Sequence, residues 1–210
     1  MINNSENFAS AIVVPNMIDI VFEINGTSVP VNYPFALWSE IVHCLPWLKK
    51  EEAAGILPLR GSINGENLLL SRRTKLIMRV PASLVIQAKQ LTGQQLIIDG
   101  NILTVGKSYE RELQPTTTLH AYLVESNLSE IEFLAEMKVK LQAMNVSCNL
   151  ICDKYREIKS ADNQLLQGYG LVLHDLKPLA SMQIQSIGLG GSRHLGCGIF
   201  VPFKAISGLD

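Results

Sequence analysis

The residues best suited to bind a phosphate lie near the C-terminus, in the stretch Gly188-Leu189-Gly190-Gly191-Ser192-Arg193-His194-Leu195-Gly196-Cys197-Gly198. Its glycines allow the backbone to adopt positive φ angles and to approach a ligand closely. A loop of this kind can direct successive N–H groups towards an anion, and an arginine within it can bind a phosphate with two hydrogen bonds. The residues that we expect to contact a phosphate are Gly190, Gly191, Ser192, Arg193 and His194.

Two common phosphate-binding patterns do not fit this stretch. A dinucleotide-binding fingerprint that starts at Gly188 requires a glycine where Arg193 stands, and a Walker loop that starts at Gly191 requires a lysine where Cys197 stands. The stretch also leads into a predicted strand, whereas both patterns open a helix. The sequence therefore argues against a nucleotide cofactor, and we expect no cofactor of any kind.

The run GLGGSRHLGCGIFVP resembles the C-terminal glycine-rich loop of a family of CRISPR-associated endoribonucleases, which belong to the repeat-associated mysterious protein (RAMP) superfamily. Members of this family cut precursor CRISPR RNA within its repeats to give guide RNAs. The resemblance implies two ferredoxin-like domains in tandem. It also implies that the partners are a stem-loop of CRISPR repeat RNA, the mature crRNA and other subunits of a CRISPR effector complex.

The family resemblance further implies a catalytic histidine late on the first helix or just after it, with a tyrosine upstream and a lysine downstream. Tyr33, His43 and Lys49 occur in this order. In such a site the RNA 2′-hydroxyl attacks the adjacent phosphorus, a histidine acts as general base or acid, and the other two groups stabilise charge on the phosphate. The products carry a 2′,3′-cyclic phosphate and a 5′-hydroxyl, and no metal ion is required.

The predicted helix Phe35–Leu45 has an apolar arc and a polar side, and His43 lies on the polar side, beside Glu40. The apolar arc consists of Leu37, Trp38, Ile41, Val42 and Leu45. The helix C-terminus and the Glu40 carboxylate both favour a protonated imidazole, which suits a general acid. His194 is an alternative acid, because it lies in the phosphate-binding stretch. Tyr33 lies about 15 Å from His43 along the axis of a helix that starts at Pro34, so it reaches the site only if the preceding loop folds back.

A second candidate RNA-binding surface comes from a basic segment in the first half of the chain. Residues 67–98 contain five basic residues and no acidic one. Arginine can bind a phosphate or reach a guanine in a groove, although charges of this kind also protect an exposed edge strand from aggregation. The residues that we expect to bind RNA here are Arg72, Arg73 and Lys75, together with Lys50 next to Lys49.

The predicted elements occur twice in the order of a ferredoxin-like domain, which is strand, helix, two strands, helix, strand. The first set comprises Ile18–Ile24, Phe35–Leu45, Ile56–Arg60, Asn67–Ser71 with a continuation through Lys75–Val80, Pro81–Leu91, and a hairpin of Gln95–Ile98 and Ile102–Val105. A polar connector, Tyr109–Pro115, separates it from the second set. That set comprises Leu119–Val124, a helix capped by Ser129 and Glu132 that ends near Met144, Asn149–Cys152, Leu166–His174, Pro178–Gln185 and Gly198–Phe203.

The sequence therefore predicts an α+β fold of tandem ferredoxin-like (βαββαβ) domains with a C-terminal glycine-rich loop. Residues 1–110 form the N-terminal domain with the proposed catalytic helix, and residues 111–210 form the C-terminal domain with the loop. In the helix capped by Ser129 and Glu132, the residues expected on the buried side are Ile131, Leu134, the stem of Lys138, Leu141 and Met144.

Composition limits the other classes of function. A formal net charge of −1 argues against indiscriminate electrostatic binding of nucleic acid, and 47% hydrophobic residues are enough for a full core. The four cysteines lack the spacing of a zinc site or of a redox pair. Neither a signal peptide nor an apolar run of about 18 residues is present, so we expect a cytoplasmic protein without a membrane partner.

Three functions remain open at this point. The resemblance favours a metal-independent endoribonuclease that cleaves CRISPR repeat RNA. The first alternative is a non-catalytic RNA-binding RAMP subunit of an effector complex, which differs only in whether His43 contributes to cutting. The second is a ferredoxin-like domain that binds a small molecule and has no affinity for RNA.

Overall fold

The computed structural model describes residues 14–160 and 162–203. Its strands are β1 (Met17–Asn25), β2 (Ser28–Pro30), β3 (Gly55–Ile56), β4 (Ser62–Asn64), β5 (Asn67–Leu69), β6 (Lys75–Pro81), β7 (Gln95–Ile98), β8 (Asn101–Glu112), β9 (Leu119–Glu125), β10 (Asn149–Lys159), β11 (Leu165–His174) and β12 (Phe200–Pro202). Its α-helices are α1 (Pro34–Cys44), α2 (Val85–Ala88), α3 (Glu130–Ala143) and α4 (Pro178–Ile187). Four short 3-10 turns add Pro46–Lys50, Ala82–Leu84, Lys89–Leu91 and Arg193–Leu195.

The first half of the chain forms a five-stranded sheet in the order β3-β6-β1-β8-β7, in which all neighbours are antiparallel. The four strands β3, β6, β1 and β8 have the order of a ferredoxin-like domain, and β7 extends the sheet by pairing with the outer side of β8. The apolar side chains of α1 and α2 join those of the sheet in one core, which includes Phe22, Ile41 and Leu91.

The second half forms a four-stranded antiparallel sheet in the order β10-β11-β9-β12. This order repeats that of the first sheet, with α3 after β9 and α4 after β11. Its core includes Phe133, Met137 and Phe200. The predicted repetition of the βαββαβ order is therefore present, while the assignment of residues 1–110 and 111–210 to separate domains stays a prediction.

Helix α1, the predicted catalytic helix, follows its predicted bounds closely. Pro34 occupies its first turn, where the missing N–H costs nothing, and Pro46 prevents its continuation. The predicted apolar arc is buried at Leu37, Ile41 and Val42. The chain then turns directly into the 3-10 segment Pro46–Lys50, which brings Lys49 and Lys50 close to the end of the helix.

Several predicted elements need correction. Asn67–Ser71 and Lys75–Val80 are not one strand, because β5 pairs with β2 and β4 in a separate three-stranded sheet. The predicted connector Tyr109–Pro115 is largely strand, since β8 continues to Glu112 alongside β1. Strand β10 extends well beyond Cys152, to Lys159.

The predicted buried face of α3 is also partly wrong. The capping box of Ser129 and Glu132 is present, but the buried residues are Phe133, Met137 and Leu141. Ile131 is 83% exposed, because the i, i+4 row of larger side chains that starts at Phe133 faces the sheet.

Two buried arginines connect the first half of the chain with the second half. Arg79 of β6 donates to the carbonyl oxygens of Gln185 and Phe200, at 2.9 and 2.8 Å. Arg193 donates in the opposite direction, to the carbonyl oxygen of Ala53 at 3.2 Å. Within the described residues no helix has the length and apolar character needed to cross a membrane.

Candidate functional site

The glycine-rich stretch joins α4 to β12, and its two ends are held together. The Leu189 N–H donates to the Gly198 carbonyl at 3.2 Å, and the Gly198 N–H donates to the Leu123 carbonyl of β9 at 2.8 Å. Gly188 and Gly198 both have positive φ, 76° and 63°. A Cβ on Gly188 would overlap the Gly198 carbonyl and the Arg193 guanidinium, so glycine is required there for packing.

Arg193 does not fit the predicted role of a phosphate-binding residue. Its side chain is buried, and it donates to the carbonyl oxygens of Ile187 at 2.7 Å, Ser186 at 3.3 Å and Ala53 at 3.2 Å. Burial, with the nearby Arg79 charge, lowers the pKa of Arg193 to about 10, so the group stays protonated at neutral pH. The guanidinium binds the carbonyl groups at the end of α4, where an arginine is electrostatically favourable.

The tip of the stretch is accessible, although it carries an acidic neighbour. Gly190 and Gly191 are exposed, and the space around Gly191 is open except for the Glu125 carboxylate. Ser192 adopts a left-handed conformation, with φ 54°, and its hydroxyl donates to Oε2 of Glu125 at 2.6 Å. The predicted phosphate contacts at this tip therefore reduce to the backbone of Gly190 and Gly191, since the Ser192 hydroxyl is engaged by a carboxylate.

His194 projects from the stretch towards α1 and borders a cleft of about 360 Å³. The residues that line this cleft are Trp38, Leu48, Lys49, Glu51, Glu52, Ala54 and His194. The ring of His194 lies against the indole of Trp38, with 4.8 Å between ring centroids. Burial lowers the pKa of His194, and the Glu125 charge opposes that shift in part. The neutral imidazole is therefore favoured, which is the form that accepts a proton.

His43 lies on a different side of α1 from the cleft. It is exposed in the last turn of the helix, five residues after Trp38, which corresponds to a rotation of about 140° around the axis. The predicted pairing with Glu40 is not observed, because the Glu40 carboxylate accepts a hydrogen bond from the Ile97 N–H of edge strand β7 at 2.9 Å. His43 thus faces solvent at the junction of α1 with the turn that carries Lys49.

Tyr33 does not fit the predicted catalytic role. It is only 8% exposed, and its hydroxyl accepts a hydrogen bond from the Leu59 N–H at 2.8 Å. Burial raises the pKa of Tyr33 well above its usual range, so its phenol remains neutral. The loop before α1 turns this side chain into the core, where it holds the chain after β3.

The two neighbouring lysines end the 3-10 turn after α1, and both are exposed. Lys49 lines the cleft together with His194, so the predicted charge-stabilising residue and the predicted alternative histidine lie at one site. Lys50 is outside the lining of the cleft. Lys49 and His194 are 145 positions apart in the sequence. They lie at one cleft because the glycine-rich stretch contacts α1.

The five basic residues of segment 67–98 differ in exposure and in whether an acidic side chain lies close to them. Arg72 and Arg73 are exposed in the turn between β5 and β6. Lys75 is partly exposed, with Nζ 3.8 Å from Glu23 Oε1, and Lys89 donates to Glu110 at 2.6 Å. Arg79, the remaining basic residue of the segment, is buried in the ion pair with Asp19, so it is no part of a surface.

Comparison with known proteins identifies the family. Residues 18–205 match the family model described as Cas6 Crispr. Over 187 residues the chain is 31% identical to a protein of Myxococcus xanthus (strain DK1622) named CRISPR-associated endonuclease Cas6, and the match covers 88% of this chain and 81% of that protein. The chain belongs to the Cas6 family. The predicted family resemblance is confirmed.

Solved structures agree with the Cas6 fold at low sequence identity. A CRISPR associated protein Cas6 superimposes with a TM-score of 0.64 and 14% identity, covering 90% of this chain and 100% of the other. A Cas6-related protein from Pyrococcus furiosus gives 0.61 and 11%, covering 89% and 98%. Thermus thermophilus Cse3, bound to an RNA representing a pre-cleavage complex, gives 0.51 and 12%, covering 89% and 98%. The predicted tandem ferredoxin-like fold is confirmed.

Sequence reasoning predicted only Lys49 and His194 of the cleft and missed its other residues, among them Trp38 and Glu51. Trp38 counted only as a member of the apolar arc of α1, yet its indole is half-buried and forms a wall of the cleft. Glu51 carried no signal, because its position follows from the 3-10 turn after Pro46. An aromatic residue at the margin of an apolar arc was the available signal for Trp38.

Proposed function

We propose that this Cas6-family chain is an endoribonuclease that cuts CRISPR repeat RNA by attack of a 2′-hydroxyl, without a metal ion. The observation that carries the proposal is that Lys49 and His194 line one cleft between α1 and the glycine-rich stretch. Cleavage of nucleic acid is supported by the Myxococcus relative, which is named a CRISPR-associated endonuclease. RNA as the substrate is supported by the Cse3 structure, which is bound to an RNA. An ammonium group and a neutral imidazole are the groups that this reaction needs near the phosphate.

The roles follow from the burial of each group. His194, whose pKa is lowered by burial, takes the proton of the attacking 2′-hydroxyl. The 2′-oxygen then bonds to phosphorus as the bond from phosphorus to the 5′-oxygen breaks, and Lys49 stabilises the charge on the non-bridging oxygens. His43 is exposed in the last turn of α1, about 140° around the helix from Trp38, and is assigned the transfer of a proton to the leaving 5′-oxygen; this role requires that oxygen to lie beyond the cleft, at the C-terminal end of α1. The products are a 2′,3′-cyclic phosphate and a 5′-hydroxyl.

RNA binding is assigned to exposed basic and glycine positions. Arg72 and Arg73 offer two charges in a turn, and Lys50 extends the positive surface beside Lys49. Gly190 and Gly191 allow the RNA backbone to approach the tip of the loop closely. Retention of the mature crRNA and association with other CRISPR effector subunits are part of the proposal and are supported by family membership.

The first experiment incubates the protein with the repeat RNA of its own locus in EDTA. We expect one cut, with a cyclic phosphate on one product and a 5′-hydroxyl on the other, and no cut when the scissile nucleotide is 2′-deoxy. Cleavage of the deoxy substrate, or a strict need for a divalent metal, would overturn the proposed chemistry. Binding without cleavage would favour the alternative, a non-catalytic RNA-binding subunit, and absence of RNA binding would favour a small-molecule-binding domain.

The second experiment separates the two histidines. His43→Ala and His194→Ala are each assayed on the normal RNA and on an RNA whose scissile 5′-oxygen is replaced by sulfur, a leaving group that departs without protonation. If His43 is the acid, the sulfur substrate restores cleavage by His43→Ala but not by His194→Ala. Restoration in His194→Ala alone would reverse the two roles. Full activity of both variants on the normal RNA would remove both histidines from the mechanism.

A further inference from the structure

We propose that the cleft beside Lys49 is a binding pocket for one nucleobase, with a preference for guanine, at a nucleotide that flanks the scissile phosphate. The inference rests on the proposed function, because it assigns the substrate specificity of the same site. The walls of the cleft combine an aromatic ring, a cation, an imidazole and two carboxylates.

The size and the apolar wall of the cleft suit a base. Its volume of about 360 Å³ lies at the lower end of the range of roughly 300–1,000 Å³ found for small-ligand sites. The half-buried indole of Trp38 forms one side, and the ring of His194 supports it at 4.8 Å. A tryptophan that a neighbouring ring holds in place is a suitable platform for stacking, and unpaired RNA bases are commonly held in this way.

The hydrogen-bonding wall of the cleft consists of acceptors. Glu51 Oε1 accepts the backbone N–H of Ala53 at 3.2 Å, so the carboxylate is fixed in orientation. One carboxylate has about four acceptor positions, and this contact uses one of them. Oε2 and the remaining position of Oε1 can therefore accept two further hydrogen bonds, and Glu52 adds a second, more exposed carboxylate to the same wall.

An acceptor pair of this kind discriminates among the four bases. Guanine presents two adjacent donors, N1–H and the N2 amino group, on its Watson–Crick edge, which match the two oxygens of one carboxylate. Adenine, cytosine and uracil each place one donor beside an acceptor on that edge, and the acceptor would face a carboxylate oxygen without a hydrogen bond. A site built to hydrogen-bond a substrate rejects analogues that leave its polar groups unpaired.

The location of the cleft connects base recognition to cleavage. Lys49 contributes to the cleft and also belongs to the turn after α1, so a phosphate held by its ammonium places a neighbouring base at the Trp38 wall. The negative charge of Glu51 and Glu52 is then directed at the donor edge of the base, while the phosphate meets the lysine. The acidic residues of the cleft therefore favour the base, and its lysine favours the phosphate, of one nucleotide.

A direct binding test uses tryptophan fluorescence in a Trp47→Phe background, where Trp38 is the one remaining tryptophan. The probes are the 3′-monophosphates of guanosine, adenosine, cytidine and uridine. We expect guanosine 3′-monophosphate to quench Trp38 at concentrations about 10-fold lower than the other three, as the absence of one charged hydrogen bond implies. Glu51→Gln should remove this preference, since the amide replaces an acceptor with a donor. Glu66→Gln, an exposed carboxylate outside the cleft, is the matched control.

A cleavage test distinguishes the absence of a guanine preference from the absence of nuclease activity. Repeat RNAs carrying each of the four bases at either nucleotide flanking the cut are compared for wild type, Glu51→Gln and Glu66→Gln. The expected result is that wild type and Glu66→Gln favour guanine at one flanking position, while Glu51→Gln cuts all four RNAs at similar rates. Equal rates for wild type, or equal quenching by the four nucleotides, would overturn the guanine pocket while leaving the nuclease intact. Failure of wild type to cut any RNA would overturn the proposed function, and the quenching experiment would still decide the base preference.

Discussion

Arg79 and Asp19 form a buried ion pair, with Nε of Arg79 2.7 Å from Oδ1 of Asp19. Their side chains are 1% and 2% exposed. The same guanidinium donates to the carbonyl oxygens of Gln185 and Phe200, at the end of α4 and in β12. One side chain of the first sheet therefore supplies hydrogen bonds to two elements of the second half of the chain, and the surrounding acceptors compensate its charge.

Replacing this arginine should cost considerable stability. Arg79→Met leaves Asp19 with only its partly exposed contact to Arg111, at 2.8 Å, and leaves two buried carbonyls without their donor. We expect the free energy of unfolding in urea to fall by about 3–5 kcal/mol, as for other broken buried pairs. Arg111→Met is the control. Its side chain is 47% exposed, so its effect should stay near 1 kcal/mol or below, as about 1 kcal/mol is the upper end for exposed pairs. Equal effects of the two variants would contradict a special role of Arg79.

The glycines of the loop should differ sharply in their tolerance of alanine. At Gly188, positive φ costs an alanine about 1–3 kcal/mol, and its Cβ would also overlap the Gly198 carbonyl. Gly188→Ala should therefore melt well below wild type. Gly191→Ala meets open space beside Glu125, so its melting temperature should stay close to that of wild type, within about 0.5 kcal/mol in stability. Differential scanning calorimetry of both variants makes the comparison, and a reversed order would show that the loop packs differently.

Local sequence patterns were sufficient for the elements whose signals are local. The two prolines around α1, the capping box of Ser129 and Glu132, and the repeated order of strands and helices depend on residues close together in the chain. These signals predicted the core strand order of both sheets, because the ferredoxin-like connection pattern permits few alternatives.

The errors concern residues whose partners are distant in sequence. Arg193 was predicted to bind phosphate from its glycine-rich surroundings, but its acceptor at Ala53 lies 140 positions away. Tyr33 was predicted to be catalytic from the family pattern, but the Leu59 N–H holds its hydroxyl in the core. A single sequence does not show which distant backbone group each side chain contacts. The residue type does not decide the question either, because an arginine or a tyrosine can form buried hydrogen bonds or contact a substrate.

The exposed arginines of the turn between β5 and β6 should contribute electrostatically to RNA binding. Arg72→Ala/Arg73→Ala should weaken binding of repeat RNA and reduce the slope of log K against log[salt] by roughly 0.7–0.9 for each phosphate that the variant no longer neutralises. The measurement is a set of binding isotherms between about 50 and 300 mM salt, a range over which screening changes substantially. Lys89→Ala is the control, because Lys89 already pairs with Glu110 at 2.6 Å. An unchanged slope in the double variant would mean that this turn lies away from the RNA.

Burial of two histidines should make the protein less stable in mild acid. The pKa of His194 and that of His120 are both lowered, chiefly by burial, with Glu125 and Asp153 respectively opposing the shift. In the unfolded chain these imidazoles bind protons at a pH of about 6.5. In the folded protein the same imidazoles bind protons only at lower pH. The unfolded state therefore binds more protons in this interval, so the free energy of unfolding falls as the pH decreases from about 6.5.

The double variant His120→Gln/His194→Gln removes both groups and should flatten this part of the stability profile. Urea denaturation at about pH 8 and about pH 5 measures the effect, because all the imidazoles concerned are neutral at the higher pH. We expect the wild-type midpoint to drop more between the two pH values than the midpoint of the double variant, whatever the cost of the substitutions at the higher pH. For each single variant, the drop in midpoint should lie between that of wild type and that of the double variant. Parallel profiles for wild type and the double variant would contradict the lowered pKa values and, for His194, the neutral imidazole on which its assignment as the base depends.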